Sequence, residues 1–187
     1  MKKLPVGKII AAALVIGFAL WLIFYFRKKN RREEILEVME KTSKFFGKLL
    51  PSHVLRKDKI GDGSYDPVEK GGTRPTKKHN GVDLVVTPGA VVFSPINGKI
   101  VRVAYPYKNE PHWQGLLIDG TKEHQGISFK IFYVTPDADL IGKEVSKGDR
   151  IGIAQEISQK YKGATDHIHV ELFVENEHQD PTKALFA

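Results

Sequence analysis

Two short stretches carry side chains that could do chemistry together: His79-Asn80-Gly81-Val82-Asp83 and, far downstream, Asp166-His167-Ile168-His169-Val170-Glu171. Between them they offer imidazoles and a carboxylate to one metal ion. Three protein ligands with a fourth position left open describe a catalytic zinc site, and imidazole with carboxylate suits zinc. A further histidine beside such a site could act as general base toward the attacking water. The competing reading, surface histidines on two unrelated strands, fits any one of them alone but not the combined pattern.

The elements that must position these groups are legible nearby. Asn80-Gly81 favours a turn over a helix, so His79 and Asp83 flank a turn that opens a strand at 82–86. In the second stretch His167, His169 and Glu171 fall on one strand face, and Ile168, Val170 and Leu172 on the other. One face carries chemistry and the other packs on a core. Further strands are expected at 91–94, 99–104, 115–119, 127–134, 150–154 and 168–174, punctuated by Pro88-Gly89, Asn97-Gly98, Asp119-Gly120 and Lys147-Gly148. Little helix is expected among them.

The His79-x-x-x-Asp83 and His167-x-His169 pair resembles the signature of the M23 (lysostaphin/LytM-type) zinc metallopeptidases, which cut peptide cross-links in bacterial cell walls. The likeness runs over roughly residues 70–183. Arg74 matches an arginine that precedes the first motif. Pro88 through Val101, Val145 through Gly152 and Asp180-Pro181 resemble the family's later turns and strands. Pro106-Tyr107-Lys108-Asn109, Lys130 through Pro136 and Tyr161-Lys162-Gly163 are also similar to the leukocyte cell-derived chemotaxins, a zinc-binding branch of the same fold without peptidase activity. The resemblance implies a mainly β domain with an antiparallel sheet core. It implies Zn2+ held by His79, Asp83 and His169, with His167 as the catalytic histidine. Glu171 becomes a candidate to orient a ligand, or an ordinary ion-pair partner. Tyr65 is either a surface residue or, as in some relatives, a plug for the open metal position.

One departure from the peptidases stands out. Their Tyr-x-His-Leu run, whose histidine helps stabilise the oxyanion, aligns with Tyr133-Val134-Thr135-Pro136. Losing one oxyanion donor costs about 10²–10³ in rate. His112 and His124, in nearby loops, are either stand-ins or exposed bystanders. Two functions therefore stay open. One is a zinc peptidase acting on peptidoglycan. The other is a zinc-binding recognition domain for a glycan, peptide or protein partner. Cysteine is absent, which excludes disulfides, cysteine–zinc sites and a thiol nucleophile.

The 187 residues allow one domain and an appendage. Residues 1–32 hold eight basic side chains and no acid; subtracting these eight from the net +7 leaves the rest of the chain at −1. The basic character thus belongs to the N-terminus, and a nucleic-acid partner loses its electrostatic support. Residues 9–26 are apolar without interruption, enough to cross most of a bilayer core of roughly 30 Å. They read as a transmembrane anchor after a cytoplasmic segment at 1–8. Residues 27–51 then read as a basic juxtamembrane segment and amphipathic stalk helix ended by Pro51, 52–78 as a linker, and 79–187 as the zinc domain. The wall-directed resemblance places that domain on the extracytoplasmic (periplasmic) side, although the basic flank at 27–32 pulls mildly toward the cytoplasm.

Overall fold

Helix α1 (Val6–Lys41) opens the chain. Its sequence is rich in Ala, Leu, Ile and Glu and has no internal proline, so nothing interrupts the helix until Thr42. A computed structural model describes residues 6–42, 44–66 and 78–186, with side chains in α1 from residue 14 onward. Large apolar side chains from Leu14 to Phe26 are exposed. Further along, Ile35, Leu36 and Met39 pack on the domain core, and Arg31 and Arg32 pair with Glu175 and Glu177. Among the described residues no helix is long and apolar enough to cross a membrane. The first five residues of the anchor expected at 9–26 lie outside the residues whose side chains are described.

After α1 come short strands: β1 (Lys57–Asp58), β2 (Gly61–Asp62), β3 (Val82–Val85), β4 (Val91–Phe93), β5 (Gly98–Ala104) and β6 (Gly115–Gly120). They continue with β7 (Ile127–Phe132), β8 (Val134–Pro136), β9 (Glu144–Val145), β10 (Arg150–Ala154), β11 (His167–Val174) and β12 (Glu177–Gln179), and a short helix, α2 (Thr182–Phe186), ends the chain. The principal sheet runs β12-β11-β7-β6-β5-β9, with β3 also paired to β11. A three-stranded sheet, β4-β10-β8, lies beside it, and β1-β2 forms a small hairpin. Every strand pairing among the described residues is antiparallel.

The pattern of β11 holds as expected: Ile168, Val170 and Leu172 are fully buried on the core face, with Leu84, Ile100, Leu116, Ile118, Phe129 and Ile131. The strand expected over 127–134 is broken at Tyr133, whose φ of 63° turns the chain out of the principal sheet and into β8.

The N-terminal boundaries read from sequence need correction. The helix ends at Lys41 and not near Pro51, and Lys44 adopts a left-handed φ of 70°. Phe45, Leu49 and Leu50 then enter the domain core, and Leu49 O accepts a hydrogen bond from Phe93 N on the edge of β4. Of the apolar residues that suggested an amphipathic stalk, Phe45 and Leu49 are thus core residues of the β domain, Ile35, Met39 and Phe46 pack against that core, and Val38 is exposed. The first part of the expected linker is also built in. Val85 N donates to Val54 O and Arg56 N to Asp83 O, so residues 54–56 line the free edge of β3. An open edge must be paired or covered, and this segment covers it. The expected linker's remainder at 67–77, including Arg74, lies outside the described residues.

Candidate metal centre

Register brings the two motifs together. In the β3–β11 ladder His169 stands directly opposite Asp83, and directly opposite residues on one face lie within side-chain reach. His79 precedes the turn into β3 and is held by paired backbone hydrogen bonds with Asp66. Gly81 lies under the His169 ring.

Three atoms converge. His79 Nε2 lies 3.1 Å from Asp83 Oδ1 and 3.1 Å from His169 Nδ1, and His169 Nδ1 lies 2.8 Å from Asp83 Oδ1. His79 Nδ1 is 2.6 Å from Ser64 O, a carbonyl that can only accept, so the proton sits on Nδ1 and Nε2 presents a lone pair to the centre. A tetrahedral ion with ligands at about 2.0–2.1 Å sets them roughly 3.3 Å apart, so the donor set and spacing fit zinc. His79, Asp83 and His169 are thus the residues that could hold a metal ion.

The charges are matched to that task. Burial raises the Asp83 carboxyl, but its close contacts with His169 and His79 more than offset it, and the group lies well below the usual carboxylate range. Burial pulls the His169 imidazole down, while Asp83 and Glu171 together carry it above its ordinary value. Glu171 Oε1 is 3.5 Å from His169 Nε2, and its other oxygen pairs with Lys130, which lies over the Phe132 and Phe173 rings. Glu171 thus faces the far nitrogen of His169 and also makes an ion pair.

His167 stands beside the cluster. Its Nδ1 donates to Thr165 O at 2.6 Å, which leaves the Nε2 lone pair free, 3.8 Å from Asp83 Oδ2. Burial lowers its pKa despite the nearby Asp83 carboxylate, favouring the neutral ring.

Other candidates are placed differently. Thr135 is exposed on β8, opposite Ile153 in the three-stranded sheet, and makes no side-chain hydrogen bond among the described residues. The ring that meets His167 edge-on, 5.4 Å between centroids, belongs to Tyr133. His112 is exposed. His124 is fully buried, contrary to the exposed-loop expectation: Asn97 N donates to its Nδ1, and its Nε2 lies 3.0 Å from Phe45 O. Tyr65 is half-buried and packs on the core, where burial and Asp180 raise its hydroxyl pKa.

The sequence gives no signal for Arg56, which is 3 % exposed and reaches Asp83 with two nitrogens. It sits in a Lys/Gly/Asp-rich run that reads as loop.

No family model matches the chain. Among curated proteins, mouse leukocyte cell-derived chemotaxin-2 is 32% identical over 129 residues, covering 68% of this chain and 76% of that one. Chicken myeloid protein 1 is 27% identical over 128 residues, which cover 68% of this chain and 36% of that one. Among solved structures, the solution structure of lysostaphin superimposes with a TM-score of 0.50 at 20% identity, over 73% of this chain and 54% of that one. The likeness to lysostaphin is one of fold. The likeness to the chemotaxin is one of sequence over most of both chains, and with it the chain belongs to the M23 (lysostaphin-type) family, in the company of leukocyte cell-derived chemotaxin-2.

Proposed function

We propose that the chain is a zinc-dependent hydrolase of the metallopeptidase type, acting on the peptide cross-links of peptidoglycan. The observation that carries this reading is the convergence of His79 Nε2, Asp83 Oδ1 and His169 Nδ1 beside a neutral, oriented His167. Zinc bound there supplies a Lewis acid that polarises a carbonyl and lowers the pKa of a water to about 7. His167 accepts a proton at Nε2 from the attacking water and returns it to the leaving amine. Glu171 and Phe132 hold the His169 ring, the first at its far nitrogen and the second by stacking. We further propose a membrane anchor at 9–26, which the exposed apolar side chains from Leu14 to Phe26 support, and a domain on the extracytoplasmic side.

A second reading is a zinc-binding recognition domain without turnover. Thr135 in place of the family's histidine favours it, as do relatives named as a chemotaxin and a myeloid protein. Incubating the full-length chain with purified peptidoglycan, with and without added zinc, separates the two. Zinc-dependent release of new amine termini supports the hydrolase. No release, with zinc bound and a saturable partner found, supports the recognition domain.

A further inference from the structure

Arg56 has no part in the readings above, yet it is among the most buried charged groups in the described residues. Its Nε and Nη2 both donate to Asp83 Oδ2, at 3.1 and 3.0 Å. Its Nη1 donates to Asp58 Oδ1 at 2.8 Å and to Gly61 O at 3.2 Å. The other oxygen of Asp58 accepts the Thr165 N–H at 2.8 Å, and Thr165 O accepts Nδ1–H of His167. Hydrogen bonds therefore lead from Asp83 through Arg56 and Asp58 to the backbone of Thr165, whose carbonyl holds the ring of His167.

We propose that Arg56 is a positioning residue for the metal centre: it occupies Oδ2 of Asp83, leaving Oδ1 alone for the ion, and through Asp58 and Thr165 it ties that ligand to the tautomer of His167. The division of the carboxylate is visible in the distances. Oδ1 faces His79 Nε2 and His169 Nδ1, and Oδ2 faces the guanidinium. A guanidinium suits the task because its planar fork serves Asp83 and Asp58 at once, which one ammonium cannot do with fixed geometry. A purely stabilising role is the weaker account, since a buried ion pair often returns little more than its desolvation cost. The backbone argues the same way. Arg56 N donates to Asp83 O and Gly63 N to Arg56 O, so the arginine is pinned at the ligand's own backbone.

This inference rests on the metal-binding reading, and the test keeps the two apart. Zinc affinity and the visible absorption of the cobalt(II)-substituted protein are measured on the full-length chain, for wild type and for Arg56→Met, Arg56→Gln and Arg56→Lys. Failure of the wild type to bind either metal sinks the metal-binding reading itself. With wild type binding, the neutral variants are expected to lose about 10–100-fold in zinc affinity, the usual cost of removing a partner behind a ligand. Their cobalt absorption should also weaken, as Oδ2 becomes free to ligate and coordination rises above four. Arg56→Lys, which keeps a cation at Oδ2, should recover part of both. Arg56→Gln answers the same question where Arg56→Met does not fold. A folded neutral variant with wild-type zinc affinity and an unchanged cobalt spectrum overturns the proposal.

Discussion

Gly81 lies so close beneath His169 that a Cβ placed on it would fall 2.9 Å from Cε1 and Nε2 of that ring and 2.3 Å from the carbonyl oxygen of Val170. The second contact is with backbone, which cannot swing aside. The Asn80-Gly81 pair therefore does more than make a turn: it lets the strand carrying Asp83 approach the strand carrying His169. Gly81→Ala should push the two apart, costing about 1–3 kcal/mol of stability, as overpacking does. Zinc should be retained poorly even where the variant folds. Thermal unfolding and metal content after dialysis check this; wild-type values in both would show that the approach is not required.

The ligand assignment predicts about one zinc per full-length chain. His79→Ala, Asp83→Ala and His169→Ala should each strip that metal, because each removes one of three converging donors. His167→Ala should keep it and lose turnover, because its Nε2 lies 3.8 Å from Asp83 Oδ2, beside the donor set and outside it. Equal zinc in all four variants would refute the assignment.

How the sequence exposed this site, and where it did not, follows from what each residue depends on. His79, Asp83, His167 and His169 are legible because the chemistry needs those residue types at local spacings, and β11 alternates with period two. Arg56 is not legible, because its role depends on a pairing with Asp83 across 27 positions, from a run of Lys, Gly and Asp with no periodicity. Phe45 and Leu49 fall in a near-helical pattern, yet their spacing serves a loop that folds against β4 and His124. The break at Tyr133 was hidden because Val134 reads as continuing β7, while a positive φ on a tyrosine has no local signature.

Acid stability should depend on Asp58. Burial alone would raise its pKa, but the Thr165 N–H, the Arg56 guanidinium and the Ile60 N–H outweigh it and hold the group well below the usual carboxylate range. A depressed carboxylate stabilises the fold above its unfolded pKa of about 3.9, and that contribution is lost as pH falls through the folded value. Asp58→Asn should therefore be less stable than wild type at neutral pH and lose less between about pH 4 and pH 2. Urea unfolding across that range reads the difference; parallel curves would contradict it.

His124 should behave as a structural bolt. Its Nδ1 accepts from Asn97 N, so its Nε2–H donates to Phe45 O and fixes the segment after α1 to the domain. Lys147 Nζ donates to the same carbonyl and to Lys44 O. His124→Leu leaves the half-buried Asn97 N–H without its acceptor and Phe45 O with Lys147 alone, at about 1–3 kcal/mol. Denaturant unfolding measures this, and faster proteolysis around residues 44–50 should accompany it. An unchanged midpoint and cleavage rate would show that the apolar packing of Phe45 and Leu49 suffices alone.

Thr135 decides between enzyme and recognition domain. The family's peptidases carry an oxyanion-stabilising histidine at this point in the sequence. Here the threonine is exposed on β8, in register with Ile153, and the chain reaches it only after the left-handed turn at Tyr133. Tyr133 itself meets His167 edge-on, and its hydroxyl shares a hydrogen bond with that of Tyr107 at 2.8 Å. Turnover by wild type should accordingly be weak, roughly 10²–10³ below a relative with the histidine in place. Thr135→His should return at most part of it. An imidazole on β8 must come within roughly 2.7–3.1 Å of the developing oxyanion, and Pro136 restricts the backbone that would have to carry it there. Initial rates on purified peptidoglycan, at matched zinc content, measure both forms. Wild-type rates equal to those of a histidine-bearing relative would show that this position carries little of the catalysis. Full recovery in Thr135→His would show instead that β8 presents its side chain to the metal centre, and that the histidine was all the chain lacked.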